Sequence, residues 1–391
     1  MKDIYIVESL RTPFGSFGGA LSDVEAPHLG GTVMKMLVKG AGLDCTAVDE
    51  VIVGQVLSAG VGQAPARQAM RYAGLPDNVH AMTINKVCGS GLKAIMLGAG
   101  SIALGEAEVV IAGGMENMSL APYILKKARY GYRMGHGELL DLMVYDGLTD
   151  PYTGKHMGEI ADAAAAKHGF SREAQDEYAI RSYQLAQKAV KEGIFKEEIV
   201  PVVKKSKKGE EVIAEDEEPF KVDFEKLKQL RPAFTKDGTV TAGNASTIND
   251  GAALTLLAGG AALKKYNLKP HARLVASSTW SLSPELFPDA PVGAIETVCS
   301  RVGIKVADIN LFEINEAFSV VAMIAIKQLQ LDPNRVNVNG GAVALGHPIG
   351  ASGGRLVATL VRELNKRQVR YGLVALCIGG GEAVAALFER V

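Results

Sequence analysis

Short β-branched runs alternate with longer amphipathic stretches from the start of the chain to about residue 115. Ile4 to Val7, Val51 to Val56 and Ala81 to Ile84 read as strands, and the stretches near Pro27 to Lys39 and Ala64 to Tyr72 read as helices. From Leu92 the residues Ile95, Met96, Ala99, Ile102 and Ala103 recur at helical spacing, and Val109-Val110-Ile111-Ala112 follows as a buried strand closed by Gly113-Gly114. This alternation predicts an α/β layer fold with mainly parallel strands.

From about residue 271 the same rhythm returns. Strands are predicted at Leu274 to Ala276, Leu311 to Ile314, Val336 to Val338 and Leu373 to Cys377, with helices at Val292 to Val302, Ala317 to Leu329 and Gly353 to Leu364. Val109 to Glu116 parallels Leu373 to Glu382, each a strand running into glycines, and Cys88-Gly-Ser-Gly is echoed by Ala351-Ser352-Gly353-Gly354. Two similar lobes could bring their strand ends around one cleft. Between them the alternation breaks, with a Gly/Tyr/Arg/Lys-rich loop at 126–137, a long helix near Ser171 to Glu192 and a charged segment at 204–228. The expected division is therefore a lobe at 1–118, an insertion at 119–245 and a second lobe at 246–391. Lys204, Lys205, Lys207 and Lys208, followed by Glu210-Glu211, read as a solvated hairpin.

Charge and cysteine content narrow the class. The 42 lysines and arginines against 43 aspartates and glutamates leave no footprint for nucleic acid or an anionic membrane. No apolar stretch is expected to reach the roughly 18 residues that span a bilayer, and no leader precedes Ile4, so a cytoplasmic location is expected. Cys45, Cys88, Cys299 and Cys377 are scattered without a C-x-x-C pair, which fits free thiols rather than disulfides or zinc.

Four residues carry candidate chemistry. Cys88 lies between a predicted strand and a long helix, a place for a nucleophile, although a lone cysteine there is also compatible with a small buried hydrophobe. A helix N-terminus contributes about 0.3–1 kcal/mol, whereas lowering a thiol pKa from about 8.5 to near 7 needs about 2 kcal/mol, so a base is required beside it. Of the 7 histidines only His347 sits in a constrained glycine-rich setting, Asn339 to Gly350. Cys377 follows an apolar strand, where open α/β sheets place ligands, and Asn315 ends another, either to help bind an oxyanion or to cap a helix.

Together, N-x-x-C-G-S-G at 85–91, N-E-A-F at 315–318, N-x-N-G-G-A-V-A-L-G-H-P-x-G-A-S-G at 337–353 and C-I-G-G-G at 377–381 resemble the thiolase family over essentially the whole chain. The resemblance implies duplicated α/β/α lobes with an inserted loop domain and no cofactor or metal beyond coenzyme A thioesters. It implies that Cys88 is acylated, that His347 activates it, and that Cys377 removes the α-proton of the incoming acetyl-CoA. A water bound by Asn315 with His347, and the backbone amides of Cys88 and Gly379, would form two oxyanion holes. Leu148, His156, Met157, Phe234, Ala242, Ser246 and Phe318 match positions beside the pantetheine and acyl group. The 126–137 loop matches the region through which relatives assemble, so a homodimer or homotetramer is implied. The activity implied is the reversible condensation of two acetyl-CoA to acetoacetyl-CoA and CoA, within fatty acid metabolism. One rival is a degradative 3-ketoacyl-CoA thiolase of longer chains, since Phe287-Pro288-Asp289-Ala290-Pro291 replaces the M-G-x-G-P of short-chain relatives. Another, from a different class, is a silent CoA or lipid carrier.

Overall fold

The computed structural model describes residues 3–206 and 209–391. Its central sheet is built from nine main strands, β1 (Ile4–Arg11), β2 (Glu50–Gly54), β3 (His80–Ile84), β4 (Val109–Asn117), β5 (Asn249–Gly259), β6 (Ala272–Ser281), β7 (Leu311–Ile314), β8 (Tyr371–Ile378) and β9 (Glu382–Arg390). Their order is β7-β8-β9-β6-β1-β5-β4-β2-β3. Two halves meet where Ile4, Tyr5 and Ile6 of β1 pair antiparallel with Leu274, Arg273 and Ala272 of β6.

The halves repeat one pattern. β2 runs parallel to β4, which pairs antiparallel with β5, which pairs antiparallel with β1. Likewise β7 runs parallel to β8, which pairs antiparallel with β9, which pairs antiparallel with β6. The duplication therefore makes β4 equivalent to β8 and β5 to β9. Residues 379–381 join β8 to β9, but residues 118–248 separate β4 from β5. The insertion is thus an enlarged hairpin connection, and β5 returns to the first half after it.

Helices α1 (Ala26–Gly40) and α2 (Pro65–Tyr72) cover the outer face of the first half. α6 (Ala290–Val302) and α7 (Ser319–Gln328) cover the second, together with α4 (Met157–His168) from the insertion. Between the halves lie α3 (Ser90–Leu104) and α8 (Ser352–Lys366), packed on Val110, Leu257, Val374 and Val384. Sheet above and sheet below explain a correction to the sequence reading. The segment Val87–Leu104 does reach 18 residues at a mean hydropathy of 1.5, because a helix buried on two faces needs an apolar surface nearly all round.

Further expectations change. The strands are not mainly parallel: β5 pairs antiparallel with both β4 and β1, β1 with β6, β6 with β9 and β9 with β8, leaving only β7–β8, β4–β2 and β2–β3 parallel. β4 does not stop at its glycines but continues to Asn117, with all nine of its residues buried. Val336 to Val338 forms only isolated bridges, to Phe312 and Gly340, because Asn337 adopts φ 47°, which an extended strand cannot contain. The expected hairpin does form, Val202–Ser206 pairing with Gly209–Ile213, but Lys204 is not a free surface charge: it pairs with Asp23 and donates to Ala20 O at 2.7 Å, while Lys207 and Lys208 lie outside the described residues.

Two buried carboxylate networks fasten the insertion. Arg11 on β1 is fully buried and bonds Glu198 at 2.7 Å and Asp216 through two nitrogens at 2.6 and 2.8 Å. Glu316, just beyond β7, accepts from Tyr178 and Ser182 on α5 (Arg172–Lys191) at 2.9 and 2.8 Å, and from Asn337 at 2.7 Å. Such multidentate contacts, hydrogen-bonded on every side, hold charges that would otherwise be costly to bury.

Candidate active site

Cys88 sits in the turn between β3 and α3. The preceding residue, Val87, is held at φ 46°, an uncommon conformation for a β-branched side chain. Asn85 Oδ1 accepts from Val87 N at 2.9 Å, while Ser90 Oγ accepts from Lys86 N at 2.8 Å and donates to Val87 O at 2.7 Å. The strained turn is therefore tied on both sides, as functional strain generally is.

The end of β8 faces this turn. The Cys88 sulfur lies against the backbone N–H groups of Gly379 and of Cys88 itself, and Cys377 is near enough for an ionised Cys88 to raise its pKa. Burial pushes the Cys88 thiol up to about 11, and burial followed by Cys88 holds Cys377 well above the usual thiol range. The helix terminus, too weak by itself to lower the thiol, is outweighed here by desolvation, so both sulfurs rest as neutral thiols.

His347 is 5% exposed, and burial, then the nearby Arg355, push its pKa down to about 3. It is neutral at physiological pH. Ser352 Oγ donates to Pro348 O at 3.0 Å, so the 2.5 Å contact between Ser352 Oγ and His347 Nδ1 must be completed by the Nδ1 hydrogen. That assignment leaves Nε2 with its lone pair, facing Asn315 Nδ2 at 3.3 Å. The backbone N–H of His347 donates to Asn249 Oδ1 at 2.9 Å, so β5 of the first half also fixes this loop. A neutral imidazole whose Nε2 carries no proton can take one from a thiol as that thiol attacks.

Cys88, His347, Cys377 and Gly379 open into one cavity of about 200 Å³ with largely apolar walls. Of the residues matched by resemblance, Leu148, His156, Met157, Phe234, Ser246 and Phe318 line it. Asn315 stands behind the wall, touching His347. Ala242 lies outside the cavity, exposed on the turn at 241–244, while Ala245, three residues on, lines the wall. His156 caps α4, accepting from Gly158 N through Nδ1 at 3.0 Å, and its ring stacks on Phe234 at 4.8 Å. Phe234 meets Phe318 edge-on at 6.0 Å, and Phe318 meets Phe287 at 6.3 Å. Ser246 and Phe318 are placed together because Ser246 N and Oγ both donate to Ala317 O, at 3.0 and 2.9 Å.

Sequence reasoning did not single out Ser352, Asn249, Met118, Gly147 or Ile349, all of which contact His347 or line the cavity. Only Ser352 carried a signal, five residues after His347 at the start of a helix. Among the described residues, no three His, Cys, Asp or Glu side chains are grouped to hold a metal ion.

The family model for the thiolase N-terminal domain matches residues 4–260, and that for the thiolase C-terminal domain matches residues 268–390. The chain is 48% identical over 392 aligned positions to a probable acetyl-CoA acyltransferase of Staphylococcus aureus (strain COL), covering 100% of both chains. It is 47% identical, with the same coverage, to the protein of that description from strain MRSA252. The crystal structure of the Bacillus anthracis acetyl-CoA acetyltransferase superposes with a TM-score of 0.98 at 42% identity, covering 100% of this chain and 99% of that one.

Proposed function

The chain belongs to the thiolase family of acyltransferases, and from that premise we propose that it is an acetyl-CoA C-acetyltransferase that works through an acyl-cysteine at Cys88. The observation that carries this reading is the meeting of two thiols and a neutral imidazole in one apolar cavity.

In the first half-reaction the Cys88 sulfur attacks the thioester carbonyl while His347 Nε2 takes its proton. The oxyanion sits between the N–H groups of Cys88 and Gly379, which already face the sulfur. Collapse breaks the bond to CoA, whose departing thiolate takes the Cys377 proton and leaves as CoA thiol. A Cys377 thiolate and a His347 imidazolium remain. In the second half-reaction the thiolate removes the α-proton of another acetyl-CoA. Its enolate oxygen is stabilised by His347 and Asn315, and its carbon attacks the acyl-enzyme. Cys88 leaves with the His347 proton, so both thiols and the neutral imidazole are restored. A thiol held well above its usual pKa is a strong base once ionised, which suits a weakly acidic carbon. Each preorganised oxyanion donor is worth about 2.7–4 kcal/mol.

Phe287 supports short acyl groups. It is 2% exposed, and its ring forms part of the cavity wall against Phe318. Turnover of acetoacetyl-CoA should exceed that of a long-chain 3-ketoacyl-CoA by at least about tenfold in kcat/KM, a difference of about 1.4 kcal/mol. Preference for the long chain would make the chain a degradative thiolase instead. Assembly into a dimer or tetramer is supported by the 126–137 loop, where Tyr130 and Met134 are 91% and 99% exposed.

A further inference from the structure

Glu116 is a carboxyl group in the interior with no role in the chemistry above. It lies on β4, 0% exposed, and has three backbone N–H donors but no cationic partner among the described residues. Val56 N and Gly350 N donate to Oε2 at 3.0 and 2.9 Å, and Leu57 N donates to Oε1 at 3.1 Å. Burial, with Asp250 of β5 adding a like charge, pushes its carboxyl up to about 7 despite these bonds. An apolar side chain at this position would avoid that cost.

What the three bonds join explains the expense. Gly350 lies three residues after His347, and its peptide is wedged between the first-half elements. A Cβ on Gly114 of β4 would come 1.8 Å from Gly350 O, and one on Gly91 would come 2.9 Å from the same atom. Gly91 lies three residues after Cys88, in the first turn of α3. A Cβ on Gly350 itself would meet Glu116 Oε2 at 2.6 Å. One carboxylate thus fastens β4 and the segment after β2 to the His347 loop, at the point where that loop packs beneath the Cys88 turn.

We propose that Glu116 is a positioning residue that fixes His347 relative to Cys88 by clamping the Gly350 peptide to the first half. The proposal rests on the roles given above to Cys88 and His347, which retention of an acetyl group by the unaltered enzyme tests separately.

The test is a double-mutant cycle on single-turnover acylation of Cys88 by acetyl-CoA, using Glu116→Gln, His347→Ala and the pair. Glutamine keeps the shape but turns an NH2 group toward one of three N–H donors. Misplacement near 1 Å can cost about 10²-fold, so Glu116→Gln should slow acylation and lower kcat about 10- to 100-fold. KM for acetyl-CoA should change less than about threefold, because the clamp touches no substrate. Acting through His347, the same change should cost less than about twofold in the His347→Ala background. An equal loss in both backgrounds, or an unchanged kcat, would overturn the proposal. If Glu116→Gln does not fold, Glu116→Asp, which keeps the charge but withdraws it by one methylene, takes its place in the cycle with the same expected pattern. Failure of both variants to give folded protein would also overturn the proposal, leaving Glu116 a determinant of folding alone.

Discussion

Replacing Cys377 by alanine is expected to stop condensation while leaving Cys88 able to accept an acetyl group. Cys377 is buried at the end of β8, close enough to Cys88 to feel its charge, and the substitution removes one sulfur from the cavity. The larger loss falls on the second half-reaction, where no other group in the cavity offers a base of comparable strength; the first loses only the proton Cys377 gives the departing CoA thiolate, which solvent can supply. General-base groups contribute roughly 10²–10⁴-fold, and acetoacetyl-CoA formation should fall toward the upper end of that range. Thiolysis should fall with it, since the reverse path uses the same proton transfer. Steady-state assays in both directions, paired with the intact mass after acetyl-CoA treatment, separate the half-reactions. Condensation at the unaltered rate would remove Cys377 from the mechanism.

Removing the imidazole should strike both half-reactions. In His347→Ala the Cys88 thiol, pushed up to about 11 by burial, has no internal base and must lose its proton to solvent. Acylation should slow by about 10³-fold at neutral pH, from the loss of a general base, and the enolate also loses an oxyanion donor. The pH dependence identifies the cause. Below its pKa the thiolate fraction rises about tenfold per pH unit, so acylation of the variant should climb steeply from pH 7 to 10. The unaltered enzyme, which carries a base already neutral because His347 is held down to about 3, should show no such climb. Stopped-flow measurement of CoA release gives both curves. A variant whose acylation rate matches the unaltered enzyme at neutral pH would exclude His347 as the base.

The candidate catalytic residues were legible because local sequence records where strands end and glycine-rich turns begin: Cys88 lies in the turn after β3, Asn315 directly follows β7, Cys377 lies at the end of β8, and His347 lies in a glycine-rich loop. Long-range partners left weaker traces. β5 went unseen because its uniformly apolar run, Gly251 to Gly259, fits a buried strand or a buried helix equally well. Its pairing with β1 is closed across residues 12–248, which no local pattern encodes. Val336 to Val338 misled for the opposite reason, since its β-branched residues promise a strand that the backbone of Asn337 interrupts. Glu116 bonds a residue 234 positions away, so its environment appears only once the halves are assembled. Burial likewise explains the Cys88 thiol. A sequence shows the helix terminus that would lower its pKa, but not the enclosure that raises it.

On the proposed mechanism the two lobes bring the sulfurs of Cys88 and Cys377 and the imidazole of His347 to a single thioester carbonyl. That meeting is tested most directly by the intact mass of the unaltered protein quenched after acetyl-CoA treatment, followed by peptide mapping. One acetyl group per chain, carried on Cys88 and discharged by added CoA, is the result predicted. No retained acetyl group, or one carried on another residue while Cys88 stays free, would contradict it.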